Sequence, residues 1–204
     1  GVFVRMTLVT GLRLGEVVGL RWCDIDFYTN MLHVNQTLNR LQRYDDDEAD
    51  SKTEIVTQTP KSQNSIRSIP MLPDLVMDLQ NWRTVQMQDA AALGTAYFDS
   101  GLIATQENGL YVEPRLMREY YQKMLAAANL PNCNFHALRH TFATRAMEQG
   151  MDAKTLSVLL GHYSVGFTLD TYAHVLTDQK WTAMQTMANM YNMEPPLRQP
   201  IQFF

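Results

Sequence analysis

The stretch FHALRHTFAT, residues 135–144, places His136, Arg139 and His140 within five residues of one another. Histidine and arginine are poor material for the core of a small domain, so such a cluster is either a polar helix face or a site. Four more residues raise the same question: Arg13 in TGLRLGE, Lys61 in TPKSQNS, His162 in LLGHYS and Tyr172 in LDTYAHV. Each alone has an ordinary explanation, as a helix-end cap, a loop lysine, a partner for terminal carbonyls or a half-buried helix residue. Together they suit an anion. Two guanidiniums clamp the non-bridging oxygens of a phosphate in fork geometry. They stabilise the added charge of a pentacoordinate transition state without a metal. A tyrosine hydroxyl qualifies as the nucleophile once a neighbour helps remove its proton. A loop lysine can supply the acid for a departing oxygen.

Other chemistries lack their residues. No Asp/His cluster has metal-ligand spacing, and there is no Gly-rich nucleotide loop and no Gly-x-Ser-x-Gly elbow. Cys23 and Cys133 stand far apart and make neither a zinc site nor a disulfide framework. They are expected as free, buried thiols in a reducing cytoplasm. No run of eighteen apolar residues suggests a membrane span, and the N-terminal stretch carries no secretory pattern. The net charge of −4 is awkward for a nucleic-acid binder. Five of the acidic residues, however, lie in one run, Asp45, Asp46, Asp47, Glu48 and Asp50, which reads as a solvated turn. Without that run, 17 basic residues face 16 acidic ones, and a local basic cleft remains open.

These residues need elements to hold them. Apolar positions at helical spacing over residues 2–22 are interrupted at TGLRLGE, where Gly11 ends one helix and a second begins. MLHVNQTLNR, EIVTQTP and SIRSIPM read as three strands of one antiparallel sheet of hairpins, with His33 a surface residue of the first. PDLVMDLQNWRTVQMQDAAAL is a helix with Pro73 at its start. GLIATQENGLYVEP gives a short strand and an Asn-Gly turn, and the helix after it stops before Pro131. The last third is helical: one helix closing at Gly150, one running from an Asp152 cap to a Gly161 stop, and two more. In the last of these, Trp181, Met184, Ala188 and Tyr191 make one apolar stripe, expected to pack on its own domain or on a neighbouring subunit. The thirteen methionines are expected mostly as core filler, and Trp22 and Trp82 as packing residues between helices. The fold class is α+β, mainly helical, with a small antiparallel sheet on one side.

With these motifs in order, the chain resembles the catalytic domain of tyrosine recombinases, the phage-type integrases. TGLRLGEVVGLRW looks like the segment of the family's first arginine, Arg13, with Glu16 at the supporting acidic position. TPKSQNSIRSIPM looks like the β-hairpin of the catalytic lysine, Lys61. HALRHTFAT matches the His-x-x-Arg box through His136 and Arg139, with His140 a supporting neighbour. LLGHYSVGFTLDTYAHV matches the terminal box, with His162 and the nucleophile Tyr172. Tyr163 and Phe167 stand where relatives commonly carry small polar residues. The long stretch between Arg40 and Thr59 is similar to that of integrases from conjugative transposons of Gram-positive bacteria, where an insertion contacts DNA or a neighbouring protomer.

The resemblance implies a division of labour. Arg13, Arg139 and His162 hold the scissile phosphate, and Tyr172 attacks to give a 3′-phosphotyrosyl bond. Lys61 protonates the released 5′-hydroxyl, and His136 assists proton movement at the tyrosine. Strand exchange then proceeds through a Holliday junction with no metal, ATP or other cofactor. The implied partners are double-stranded DNA attachment sites and three further copies of the chain in a tetramer on DNA. Residues 1–192 would be the catalytic domain and 193–204 a tail. The abrupt helical start reads as the C-terminal part of a longer protein, with core-binding and arm-binding domains lying before it. Two other readings stay open on the residues alone. A type IB topoisomerase shares the chemistry, and the helix, turn and helix around Gly150 suit a non-catalytic helix-turn-helix regulator.

Overall fold

Helix α1 (Val2–Thr10) stops where Gly11 turns left-handed, at φ 67°, and its amide caps the Thr7 carbonyl. This is the expected glycine stop, and it sends the chain through Leu12 and Arg13 into α2 (Leu14–Gly19). The computed structural model describes residues 1–42, 53–58 and 65–194. The acidic run at 45–50, Lys61 and the tail from 195 lie outside the described residues.

The sheet departs from expectation. MLHVNQTLNR is not one strand but two, β2 (Met31–Val34) and β3 (Thr37–Gln42). Between them the Asn35 amide donates to Asp24, and the Gln36 amide donates to the Gly19 carbonyl at 2.6 Å. Those two side chains anchor the bend. β2 uses both edges, pairing antiparallel with β1 (Ile25–Asp26) on one side and β5 (Arg67–Pro70) on the other. It has no edge left for β4 (Thr53–Gln58), which pairs instead with β3 in a separate two-stranded ribbon. The base of that ribbon lies on α2: a Cβ on Gly19 would come within 2.8 Å of the Leu38 backbone. Residues 101–114, expected to hold a short strand and a turn, make only isolated bridges, Arg21 with Leu102 and Thr105 with Tyr111.

The remaining elements follow the sequence closely. α3 spans Pro73–Leu93, as its period and first-turn proline predict. α4 (Pro114–Ala127) buries Met117, Tyr121 and Leu125, four apart, as one face. α5 (His136–Glu148), α6 (Ala153–Leu160), α7 (Val165–Thr171) and α8 (Ala173–Met190) complete the described chain. The larger core gathers Met6, Val17, Val18, Leu32, Ile69, Leu75, Leu79 and the α4 face. At about 1.5–3 kcal/mol for each large side chain, that burial is the main force holding α1–α4 on the β1–β2–β5 sheet. A second cluster joins Ala143 and Met147 of α5, Leu156 and Leu160 of α6, and Tyr172. The result is a mainly helical α+β domain with small antiparallel sheets, as expected.

Some assignments change. Cys23 is exposed and Cys133 half-buried, so neither is a core thiol. Met6, Met71, Met117 and Met147 are buried, but Met77, Met87, Met184, Met187, Met190 and Met193 face solvent. Of the α8 stripe only Ala188 is buried, while Trp181 is half-buried and Met184 and Tyr191 are exposed. Trp22 and Trp82 are half-buried packing residues; the Trp82 indole donates to the Ile103 carbonyl and the Trp22 indole to Gln86. His33 bonds the Ser68 hydroxyl across β2 and β5 on the outer side. No described helix is long and apolar enough to cross a membrane.

Candidate active site

α6 begins on Asp152, whose carboxylate accepts from the Lys154 and Thr155 amides, and ends on Gly161 at φ 62°. The last carbonyls of a helix lack intrahelical partners. Here three consecutive ones receive three arginines from three other elements. Arg67 of β5 donates from Nε to Leu159 at 2.6 Å. Arg139 of α5 donates from Nη2 to Leu160 at 2.8 Å. Arg13, the residue before α2, donates from Nη2 to Gly161 at 3.0 Å. Arg139 is also held from Nη1 by the Gly11 carbonyl at 2.6 Å, the carbonyl that the left-handed turn presents.

Glu16 organises the cations from below. It is fully buried, and its two oxygens take Arg67 at 2.9 and 3.0 Å. The same carboxylate accepts from the Arg13 backbone amide at 2.8 Å and from its guanidinium at 2.9 Å. Burial raises its pKa, but the bonds and charge of Arg67, and then the charge of Arg13, outweigh this and hold it below the ordinary carboxylate value. Three guanidiniums around one carboxylate leave a net excess of positive charge. Burial, with repulsion from Arg13, pulls Arg139 down to about 9, so it stays charged at neutral pH. Arg139 is 3% exposed, whereas the Arg13 side chain is 38% exposed and presents the clamp to solvent.

His162 follows the α6 stop and is buried. Its Nδ1 lies 2.7 Å from the hydroxyl of Thr168, which is wholly buried and has no other hydrogen-bond partner among the described residues. A buried hydroxyl must place its hydrogen, so Thr168 is assigned as donor to Nδ1, which leaves the imidazole proton on Nε2. Burial, and after it the charges of Arg139, Arg13 and Arg67, push His162 down to about 4. It is therefore neutral at pH 7, a hydrogen-bond donor rather than a cation. Phe167 packs edge-on against it, ring centroids 4.9 Å apart.

Tyr172 ends α7 and opens α8, and it is 3% exposed. Burial raises its pKa, and the charge of Arg139 opposes the rise. Its hydroxyl lies 3.3 Å from His140 Nδ1. His136, one turn earlier on α5, meets His140 edge-to-face at 4.7 Å and has no hydrogen bond to the hydroxyl among the described residues. Burial lowers the His136 pKa, with His140 and the arginines adding to it.

Arg13, Arg139, His162 and Tyr172 are thus brought together from four separate stretches of chain, with Glu16 beneath them and His136 and His140 alongside. Lys61 lies outside the described residues; β5, which follows it in the chain, enters the site through Arg67. Sequence reasoning missed Arg67. A signal was present, since strand alternation puts Arg67 on the same buried face as Ile69, where an arginine needs a buried carboxylate.

The Phage integrase family matches residues 2–179 of the chain. A tyrosine recombinase XerC-like protein of Caldanaerobacter subterraneus subsp. tengcongensis is 35% identical over 185 residues, which are 89% of this chain and 47% of that one. The transposase from transposon Tn916 of Enterococcus faecalis is 26% identical over 193 residues, 90% of this chain and 44% of its own. Among solved structures, the Tn1549 transposon integrase in complex with circular intermediate DNA superposes with a TM-score of 0.71 at 26% identity, covering 91% of this chain and 58% of that one. The chain spans about half the length of the curated relatives it matches.

Proposed function

Because the chain belongs to the phage integrase family, we propose that it is the catalytic part of a tyrosine recombinase that moves a mobile element between DNA sites. The observation that carries this is the convergence of Arg13, Arg139, His162 and Tyr172 from distant segments. Arg13 and Arg139 grip the scissile phosphate, and the neutral His162 adds a third donor from Nε2. The Tyr172 oxygen attacks phosphorus and forms a 3′-phosphotyrosyl bond. As the 5′ oxygen departs it takes a proton from Lys61. A 5′-hydroxyl of the partner duplex reverses the step, giving a Holliday junction and then a recombinant. The phosphodiester energy is kept in the covalent bond, so neither ATP nor a metal enters.

Residues 1–192 form the catalytic domain in this reading, and 193–204 a tail. The protein acts in the cytoplasm on double-stranded attachment sites, as a tetramer. The exposed Met184 and Tyr191 of α8 suit docking on a neighbouring protomer, and residues 39–58, which take in most of the β3–β4 ribbon, contact DNA or that protomer. The similarity to an integrase solved on circular intermediate DNA supports a DNA substrate. A helix-turn-helix regulator fits less well, because the helices it would use, α5 and α6, hold Arg139 and the carbonyls that the arginines occupy.

The test uses nicked duplexes drawn from the sequence flanking the chain's own coding region. The full chain should give a denaturation-resistant protein–DNA adduct, and Tyr172→Phe should bind without giving one. An adduct from Tyr172→Phe removes the nucleophile assignment.

A further inference from the structure

The site contains three histidines and one nucleophile whose proton must go somewhere. His162 is occupied. Its Nδ1 takes the Thr168 hydroxyl, its Nε2 carries the proton, and burial among arginines holds it neutral down to about pH 4. A group so reluctant to be protonated is a poor acceptor at neutral pH. His136 packs edge-to-face against His140 and makes no hydrogen bond to Tyr172 among the described residues. The imidazole that touches the reacting oxygen is His140. Its Nδ1 lies 3.3 Å from the Tyr172 hydroxyl, and the two rings are 6.0 Å apart at 61°. That distance is long for a finished hydrogen bond but within the range that catalytic contacts show before substrate arrives.

We propose that His140 is a catalytic residue, the base that takes the Tyr172 proton during strand cleavage and returns it during rejoining. The assignment rests on the recombinase reading of Tyr172. In cleavage the Tyr172 oxygen bonds to phosphorus while its proton passes to Nδ1 of His140, present as the tautomer with hydrogen on Nε2. The bond from phosphorus to the 5′ oxygen breaks with its electron pair, and that oxygen takes its proton from Lys61. In rejoining, a 5′-hydroxyl bonds to phosphorus and gives its proton to Lys61 while the phosphotyrosyl bond breaks, and the tyrosine oxygen recovers the proton from His140, so no outside acid or base is needed. His136 serves as a positioning residue, its ring edge-to-face with that of His140 one helical turn away.

The test separates proton transfer from placement. His140→Asn keeps an acceptor near the Nδ1 position but cannot carry a proton between steps. On the nicked duplexes described above, this variant of the full chain should form adduct about 100-fold more slowly than wild type, the lower end of what general-base catalysis contributes. Replacing Tyr172 by 3,5-difluorotyrosine, whose hydroxyl ionises more readily, should recover most of that loss in His140→Asn. It should recover little in His136→Asn. Because His140 is on the exposed side of α5, unchanged thermal melting of the variant is the expected folding control. A His140→Asn rate within about threefold of wild type overturns the proposal, since a general base is worth far more. So does a slow variant that fluorination leaves slow, because a merely structural role would behave that way. Absence of adduct from wild type on every duplex overturns the recombinase reading itself, and this proposal with it.

Discussion

Arg13 and Arg139 donate to adjacent carbonyls, Gly161 and Leu160, at the end of one helix. Residues 126 positions apart in the chain are thereby set side by side by a backbone that neither belongs to. The arrangement fixes the spacing of the two forks, so in the proposed reaction they are set before a phosphate arrives. Such preorganisation is what lets charge act at the moment of reaction.

Replacing Arg139 by lysine keeps a charge but loses the fork that reaches both Gly11 and Leu160. Adduct formation by Arg139→Lys should fall by about 10²–10³, the scale of one lost transition-state donor. Quenched-flow sampling on nicked duplexes measures it. A near-normal rate would show that this guanidinium does not meet the phosphate.

Glu16→Gln leaves Arg67 buried with no carboxylate partner. Breaking a buried pair from one side costs about 3–5 kcal/mol. Urea denaturation should show a loss of that order, with Arg67→Lys losing less because a charge remains. A loss under about 1 kcal/mol would mean that the pair contributes little to the fold, as surface pairs do.

Acid should destabilise the protein earlier than its carboxylates alone require. His162 is held down to about 4 in the fold, against an ordinary value of 6.5. Between those values the unfolded chain binds a proton that the folded chain refuses. Stability is therefore complete above about pH 6.5 and falls as pH drops toward 4. Glu16, lowered below 4.5, adds a second loss as pH falls through its folded value. Urea midpoints at pH 7, 5.5 and 4.5 should converge between wild type and His162→Asn as pH falls. Parallel lines for the two proteins would remove His162 from the account.

Thr168→Val should release the His162 tautomer, since valine fills the space but cannot donate to Nδ1. The lost hydrogen bond costs about 1–3 kcal/mol of stability when its partner stays buried. Adduct formation should slow, and Thr168→Ser should restore most of both. Nitrogen-15 shifts of the His162 ring report the tautomer directly; an unchanged Nε2–H signal in Thr168→Val would contradict the assigned role.

Local signals were legible and long-range ones were not. The bounds of α3, the Asp152 cap, and the Gly11 and Gly161 stops are written in residues that touch their own neighbours. The motifs picked out most of the side chains that the fold brings together, because each motif is short and contiguous. The break between β2 and β3 depends on Asn35 and Gln36 reaching Asp24 and Gly19, contacts that no period of two or 3.6 encodes. Arg67 meets Glu16 fifty-one residues away and Leu159 ninety-two away, so its local sequence shows an ordinary strand residue. The contact between His140 and the Tyr172 hydroxyl has no local signature, because Tyr172 lies thirty-two residues on, at the junction of α7 and α8. The exposed methionines of α8 looked like core filler because composition carries no information about which face is covered.

The turn at Gly11 limits which sequences this site tolerates. A β-carbon there would come within 2.6 Å of both Leu160 and Phe142, on a backbone already at φ 67°. Leu160 supplies one of Arg139's two carbonyls, and Gly11 itself supplies the other. In a library randomised at every position and selected for recombination, position 11 should accept substitutions as rarely as position 139. The residue with no side chain would then be as invariant as the arginine it holds, and a survey confined to functional groups would overlook it.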